Sequence, residues 1–164
     1  MFYIFLQSIF IIQIACVINE IPNSFCLQSI CELETNCGLN LTNSCSYDSQ
    51  NRKVCGYFRL SEYMYKNCYF VGFNPETESI RDAFHRCANN YTCASECVKN
   101  VPNIAKHKCN GISKCQKIAM AHFEGRGPYG CTEKSPERMG YWSKVEKLSM
   151  EFSRHFMVLR QFFE

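Results

Sequence analysis

The chain of 164 residues is informative first through what it lacks. Residues 1–19 contain no Asp, Glu, Lys or Arg, no two cysteines have the CxxC spacing of a metal site, and no internal repeat is present. After residue 17, no segment is apolar and uncharged for long enough to cross a bilayer, which takes about 20 residues. These absences argue against a zinc module, a repeat protein and an integral membrane protein.

The first residues predict export. Residues 2–17 are apolar except for Gln7, Ser8 and Gln13, and the small residues Ala15 and Cys16 lie near a suitable cleavage point. We therefore predict a signal peptide over residues 1–17 and a secreted, extracellular protein. A membrane anchor is the alternative, but the run is short for a membrane span and is interrupted by glutamines.

The cysteines favour the same compartment. Twelve of the thirteen lie between Cys26 and Cys131, and the thirteenth, Cys16, falls in the leader. An even set in an exported chain of this size is typical of a disulfide framework, and six bridges would each add ~2–4 kcal/mol of stability. The alternative is metal ligation by pairs such as Cys93 and Cys97. Export disfavours thiolate ligands, so we predict neither a metal nor a cofactor.

The charge and the surface motifs restrict the partners only loosely. The formal net charge is +3, from 18 Lys and Arg against 15 Asp and Glu. This mildly basic balance suits an anionic surface such as a bacterial wall, although proteins of many functions share it. Asn40 and Asn90 begin Asn-x-Thr tripeptides and are permitted N-glycosylation sites. We predict a monomer with neither a nucleic-acid partner nor stable membrane insertion.

The apolar periodicity predicts one mostly helical domain with a small antiparallel sheet, an α+β fold stapled by disulfides. The sheet is expected over about residues 44–60, where turn residues give way to strand-like residues. Asn74 and Pro75 predict a helix start, as a cap followed by proline at the first helical position. Helices are expected over residues 24–37, 61–68, 75–87, 91–106 and 112–123, and from Pro136 into an aromatic C-terminal stripe.

Two carboxylates stand out by their placement. Glu34 lies near the end of the first predicted helix, and Asp48 lies in the turn region that leads into the sheet. A helix-borne acid that faces a second, ionised carboxylate across a cleft is the arrangement that glycoside hydrolysis requires. The alternative is that Glu34 is an exposed helix carboxylate and Asp48 a turn former, and the two placements alone do not separate these interpretations.

The residues around these carboxylates form an ordered series of cysteine-spaced motifs. The series consists of Cys26-Leu-Gln-Ser-Ile-Cys-Glu-Leu-Glu34-Thr-Asn-Cys37, Cys45-Ser-Tyr-Asp48, Cys55-Gly-Tyr-Phe-Arg-Leu60, Cys87-Ala-Asn-Asn-Tyr-Thr-Cys93-Ala-Ser-Glu-Cys97, Ala119-Met-Ala-His122, Gly127-Pro128-Tyr-Gly130-Cys131 and Tyr141-Trp142. In this order, from about Cys26 to Leu148, the chain resembles the invertebrate-type lysozyme family, also called the destabilase family.

The resemblance implies a lysozyme-like fold with two lobes around a cleft for bacterial peptidoglycan. It implies hydrolysis of the β-1,4 bond between N-acetylmuramic acid and N-acetylglucosamine, in antibacterial defence or in digestion. The general acid of the family falls on Glu34, and the nucleophile of a retaining mechanism falls on Asp48. Substrate contacts are expected from Tyr57, Arg59, Tyr65 and His122.

The resemblance also implies the disulfide pairing. The expected bridges are Cys26–Cys115, Cys31–Cys37, Cys45–Cys55, Cys68–Cys97, Cys87–Cys93 and Cys109–Cys131. The family usually has two more cysteines, where this chain has Ser29 and near Glu151, and their joint absence suggests that one bridge was lost as a pair. The expected organisation is a leader over residues 1–17, a lysozyme domain over 18–148 and an amphipathic helical tail over 149–164.

Some departures from the family pattern line the expected cleft. The loop from Asp48 to Cys55 is one residue longer than usual, and Val54 replaces a common serine. A catalytically weak binding or antimicrobial protein is therefore one alternative function, with the aromatic tail as its membrane contact. Another is isopeptide cleavage of the destabilase type, which would need Ser49 and His122, with Lys53 nearby. Tyr141 and Trp142 are expected to anchor the core.

Overall fold

The computed structural model describes residues 23–38, 45–49, 51–101, 111–123 and 135–163. The predicted leader, Asn40, Cys109 and Cys131 lie outside the described residues. The elements are α1 (Asn23–Thr35), β1 (Cys45–Tyr47), β2 (Lys53–Cys55), β3 (Leu60–Ser61), α2 (Glu62–Asn67), α3 (Ile80–Ala88), α4 (Tyr91–Asn100), α5 (Lys114–Phe123) and α6 (Pro136–Phe163). The mostly helical α+β fold with a small antiparallel sheet is confirmed.

Helices α1 and α6 pack against each other in antiparallel directions. The ring of Phe25, near the start of α1, lies 5.8 Å from that of Phe156, near the end of α6. At the other end of α1, Glu34 meets Tyr141 from the early turns of α6. The pairing brings the end of α1, where Glu34 lies, to the first turns of the long helix.

One continuous core joins these two helices to the rest of the domain. Its largest fully buried apolar side chains come from every region of the fold: Ile30, Phe58, Leu60, Tyr65, Phe84, Ile118 and Val145. Trp142 is also buried in this core, as expected for a core anchor. Full burial of side chains of this size contributes ~1.5–3 kcal/mol each relative to exposure.

The sheet has the order β1-β2-β3 with antiparallel neighbours, and Cys45 lies opposite Cys55. The chain leaves β2 through Gly56, at a left-handed φ of 69°. A Cβ at this position would lie 1.8 Å from the carbonyl oxygen of Ala88, at the end of α3, so only glycine fits. The next residue, Tyr57, donates its backbone N–H to the same carbonyl. The sheet is thus fixed against α3.

Short polar side chains start three of the helices. The side-chain oxygens of Ser61, Ser79 and Asn90 accept backbone N–H groups from the first turns of α2, α3 and α4. The predicted helix start at Asn74 and Pro75 is therefore wrong. Asn74 instead accepts the N–H of Glu76 at 3.0 Å in a local turn, and the helix begins only at Ile80.

The last helix begins where the sequence predicts, with Ser135 Oγ accepting the Arg138 N–H at 3.3 Å before the helix continues unbroken to Phe163. One face of this helix is buried from Arg138 to Ser149, and residues 154–161 are all exposed. Large apolar side chains in this outer part, such as Phe156 at 57%, are exposed to solvent. Burial therefore decreases along one continuous helix, and the division into a domain and a tail at residue 149 stays a prediction.

Five disulfides with the expected pairing connect these elements: Cys26–Cys115, Cys31–Cys37, Cys45–Cys55, Cys68–Cys97 and Cys87–Cys93. The expected bridge Cys109–Cys131 lies outside the described residues. Two of the five flank the predicted carboxylates, since Cys31–Cys37 closes the end of α1 and Cys45–Cys55 joins β1 to β2. They restrict the backbone on both sides of the site.

Candidate active site

A cleft of about 340 Å³ lies where the end of α1, the sheet, the end of α5 and the start of α6 meet. The residues that line it include Glu34, Asp48, Ser49, Arg52, Val54, Arg59, His122 and Glu137. Both predicted carboxylates therefore open into one cavity although they lie on separate elements. Two of the four predicted substrate contacts, Arg59 and His122, line the same cavity.

The Glu34 carboxyl is enclosed by three donor groups. The Tyr141 hydroxyl donates to its Oε1 at 2.8 Å, and His122 Nε2 lies 3.5 Å from the same oxygen. The Nε of Arg59 lies 3.8 Å from Oε2. Burial raises the pKa of Glu34, but the contacts with His122, Tyr141 and Arg59 outweigh burial, so this pKa lies below its ordinary value.

The Asp48 carboxylate is bound by Arg52 of the following turn. The backbone N–H of Arg52 donates to Oδ1 at 2.8 Å, and its guanidinium Nε donates to Oδ2 at 2.7 Å. The backbone N–H of Asp48 closes the turn onto the Arg52 carbonyl at 3.0 Å. A cation bound to a carboxyl group favours its ionised form. This is the form in which a carboxylate acts as a nucleophile or an electrostatic stabiliser.

Arg59 reaches the cleft from the turn between β2 and β3. Its φ of 46° is in the left-handed region, where the backbone of a residue other than glycine is strained. The guanidinium Nη1 donates to Ser46 Oγ at 3.1 Å, while Nε faces Glu34. The turn thus holds a positive charge between the sheet and the acid.

His122 approaches Glu34 from α5 and is almost fully buried. Its ring meets those of Phe58 and Tyr141, each with a centroid distance of 6.4 Å. The second ring nitrogen, Nδ1, is buried without a hydrogen-bond partner among the described residues. The imidazole therefore directs one nitrogen at the acid and leaves the other in an apolar environment.

The structure places the two other predicted substrate contacts outside the cleft lining. Tyr65 is fully buried, and its hydroxyl donates to the Val71 carbonyl at 3.0 Å. The expectation for Tyr65 is therefore corrected, because a side chain engaged in the core cannot reach a substrate. Tyr57 is half-buried with its ring edge against Tyr91, 5.6 Å away.

Two residues of the site were missed by the sequence interpretation. Tyr141 was expected only to anchor the core, yet its hydroxyl bonds the predicted acid. Arg52 lies in the longer loop after Asp48 and contacts both oxygens of that carboxylate. The spacing of four residues between Asp48 and Arg52 was the available signal, whereas nothing in the sequence places Tyr141 beside Glu34.

The residues named for isopeptide cleavage are separated in part. Ser49 and His122 line the cleft together with Val54, which occupies the position of the usual serine. The Nζ of Lys53 lies 3.5 Å from His85 Nε2 on the exposed side of the sheet. Isopeptidase activity stays a prediction.

One cluster of possible metal ligands occurs among the described residues, formed by Cys45, Cys55 and His85. The two sulfurs are bonded to each other, so neither is available as a thiolate ligand. The cluster is accounted for as a disulfide with a neighbouring imidazole.

Known proteins are similar to this chain in sequence. A family model described as Destabilase matches residues 23–148. Invertebrate-type lysozyme 6 of Caenorhabditis elegans is 33% identical over 129 residues, which cover 77% of this chain and 86% of that protein. A lysozyme of Magallana gigas is 33% identical over 125 residues, which cover 76% and 79% of the two chains.

Solved structures agree. The Tapes japonica lysozyme superposes with a TM-score of 0.57 and 25% identity, covering 75% of this chain and 87% of its own. The Meretrix lusoria lysozyme, in complex with Aeromonas hydrophila PliI, gives a TM-score of 0.56 and 29% identity, covering 79% and 92%.

The shared fold, with two carboxylates in one cleft, defines a glycoside hydrolase of the lysozyme type. More narrowly, the chain belongs to the destabilase family, together with the invertebrate-type lysozymes.

Proposed function

We propose that this chain is a secreted muramidase, which hydrolyses the β-1,4 bond between N-acetylmuramic acid and N-acetylglucosamine in bacterial peptidoglycan. The observation that carries the proposal is the common cleft of Glu34 and Asp48, in a chain of the lysozyme type. Glu34 donates a proton to the leaving oxygen, and Asp48 forms or stabilises the glycosyl intermediate. No cofactor enters these steps.

The environments of the two carboxylates support different roles. Glu34 is buried and accepts a hydrogen bond from the neutral Tyr141 hydroxyl, with Arg59 Nε 3.8 Å away, whereas Asp48 is bound at 2.7 Å by the guanidinium of Arg52. The cation beside Asp48 favours its ionised form, while burial opposes ionisation of Glu34. Because the pKa of Glu34 nevertheless lies below its ordinary value, the acid is protonated only in acidic solution. The enzyme should therefore work best on the acidic side of neutrality.

Removal of the acid tests the proposal. The variant Glu34→Gln keeps the shape of the side chain but cannot donate the proton, and we expect its clearing of a peptidoglycan suspension to fall at least about a hundredfold. The matched control is Glu32→Gln, on the same helix, whose carboxylate bonds Gln28. Equal activity of wild type and Glu34→Gln would contradict the assignment.

Product stereochemistry tests the role of Asp48. A retaining mechanism gives a product with the anomeric configuration of the substrate, because the anomeric carbon is inverted twice, once when the glycosyl intermediate forms and once when water cleaves it. Turnover of a defined muropeptide, followed by nuclear magnetic resonance of the first product anomer, separates this mechanism from inversion. An inverted product would assign Asp48 the role of a general base.

Secretion and a monomeric state belong to the same proposal. The five disulfides of the described residues suit an oxidising compartment such as the extracellular space. No helix of the described ranges combines the length and the apolar character that a membrane span requires. Gel filtration of the secreted protein tests the predicted monomer.

The exposed apolar part of α6 favours a second candidate, a lysozyme-like protein that binds or perturbs bacterial surfaces without turnover. Phe156, Met157, Val158 and Leu159 are each more than half exposed. Bacterial killing that survives the change Glu34→Gln would favour this function, and killing that disappears with Glu34 would favour the enzyme.

A further inference from the structure

The donors around Glu34 are distributed unequally between its two oxygens. Oε1 accepts the Tyr141 hydroxyl at 2.8 Å and also lies 3.5 Å from His122 Nε2. Oε2 has its charged contact, among the described residues, with Arg59 Nε at 3.8 Å, which is beyond hydrogen-bond length. The two oxygens are therefore not equivalent as sites for a proton.

The burial of His122 fixes which of its nitrogens is the donor. Its Nδ1 is buried without a partner in the described part of the chain. A buried N–H without an acceptor costs the desolvation of that group, whereas an unpaired acceptor is tolerated somewhat better. A proton on Nε2 has Glu34 Oε1 as its acceptor at 3.5 Å, whereas a proton on Nδ1 has no acceptor among the described residues.

We infer that Tyr141, assisted by His122, is a positioning residue that occupies Oε1 of Glu34 and thereby assigns the catalytic proton to Oε2. Oε2 is the oxygen on the side of Arg59, which lines the cleft. The inference rests on the proposed role of Glu34 as the general acid. It explains why a tyrosine from α6 is held against a carboxyl at the end of α1.

The Tyr141 hydroxyl has two separable effects. As a donor it stabilises the carboxylate more than the acid, so it contributes to the low pKa of Glu34. As a fixed partner it orients the carboxyl for proton transfer, where small misplacements are costly. The other ionisable groups around the acid are His122 and Arg59, and Asp48, Arg52 and Glu137 also line the cleft.

The variant Tyr141→Phe removes the hydroxyl and keeps the ring that packs on Phe123, 4.9 Å away. We expect the alkaline limb of kcat/KM to move to higher pH by about half a unit or more, since one hydrogen bond to a charged group is lost. We also expect the maximal kcat to fall about tenfold with little change in KM, because orientation rather than binding is impaired.

The control is Tyr91→Phe, which removes the same atom from a half-buried ring on α4 that does not line the cleft. We expect its pH profile to match that of the wild type. If Tyr141 only fills space, Tyr141→Phe behaves like this control, and the inference is overturned. If Tyr141→Phe fails to fold, His122→Phe replaces it, with an upward shift of the limb expected and an unchanged limb contradicting the inference.

A titration without substrate separates this inference from the proposed function. The carboxyl carbon of Glu34, followed by nuclear magnetic resonance, should titrate at higher pH in Tyr141→Phe than in the wild type. If this shift occurs in a protein without muramidase activity, the proposed function fails, while the contact with Tyr141 stands. If the titration is unchanged in an active enzyme, the positioning role fails and the function stands.

Discussion

At Glu34, burial and hydrogen bonding act on one carboxyl in opposite directions. Burial favours the protonated acid, while Tyr141, His122 and Arg59 favour the carboxylate, and the latter effect is the larger. A general acid in this environment must regain its proton from acidic solution or from a change in its surroundings when substrate fills the cleft. Glu34 therefore stabilises the fold as a carboxylate, but it can donate a proton in catalysis only as the protonated acid.

This balance predicts how stability depends on pH. The folded-state pKa of Glu34 is lowered, so its contribution to stability is complete above the unfolded value of 4.5 and is lost as pH falls through the folded pKa. The free energy of unfolding of the wild type, relative to that of Glu34→Gln, should therefore fall on acidification below about pH 4.5, by at most ~1.4 kcal/mol per pH unit.

Urea unfolding of the two proteins between neutral and strongly acidic pH measures this difference. The variant Glu32→Gln serves as the control, because it removes another carboxylate of the same helix. A difference that grows on acidification would mean that burial dominates and that the pKa of Glu34 is raised instead.

At the scale of elements, α1 and α6 are joined by a pair of buried serines. Ser29 Oγ donates to the Phe25 carbonyl at 2.8 Å and lies 2.8 Å from Ser149 Oγ. Either hydroxyl can be the donor in this contact, because the Ser149 hydroxyl also lies 3.4 Å from the Phe25 carbonyl oxygen. Ser29 is one of the positions where the resemblance expects a cysteine, and Ser149 lies two residues before Glu151, near the other. A hydrogen bond thus connects the helices where a covalent bridge is expected in the family.

The serine pair should be energetically coupled. We expect Ser29→Ala and Ser149→Ala each to lower the free energy of unfolding by ~1–3 kcal/mol, because each change disturbs a buried hydroxyl network. The double variant should cost less than the sum of the two, since it leaves no unpaired hydroxyl behind. Urea unfolding of the four proteins measures the coupling.

The control combines Ser149→Ala with Ser95→Ala. Ser95 is also buried, but its hydroxyl bonds the Thr92 carbonyl within α4. These two changes should add, because the residues share no partner. If the effects of Ser29→Ala and Ser149→Ala on the free energy of unfolding also add, the contact between the two serines contributes nothing to stability.

Element boundaries were predictable where a local signal was strong. The helices predicted from residue 61 and from Pro136 were confirmed, since the Ser61 side chain and the proline ring each act on the first turn of their own helix. Asn74 and Pro75 carried an equally strong local signal, yet the chain forms a turn there. A cap starts a helix only where the next residues pack, and Ala83 and Phe84, which are buried in the core, follow Ser79.

At the scale of the whole molecule, the outer part of α6 exposes apolar side chains to solvent. Replacing Met157, Val158 and Leu159 with serine should leave muramidase activity unchanged, because these exposed side chains lie far along the helix from Tyr141 and Glu34. The same variant should lose binding to bacterial surfaces if the tail contributes apolar contacts. Co-sedimentation with intact bacteria, compared with peptidoglycan clearing, measures the two properties separately.

A variant with Met157 and Val158 replaced by leucine, and with Leu159 kept, retains the apolar surface and is the matched control. If the serine variant still sediments with bacteria, the tail does not contribute to binding of bacterial surfaces. Loss of clearing in that variant would show that the outer helix supports the cleft.

The sequence by itself determined the fold class, the pairing register of five bridges through family resemblance, and the two carboxylates. Helical periodicity acts over short stretches, so a linear pattern reveals it, whereas the disulfide pairing, with one bridge across 89 positions, is what the resemblance implies. Only the tertiary structure decided what surrounds those carboxylates. Tyr141 reaches Glu34 across 107 positions of the chain, and Tyr65, close to Arg59 in sequence, turns into the core. The antiparallel packing of α1 on α6 creates the first contact, and no local pattern encodes it, because it depends on burial shared by distant helices.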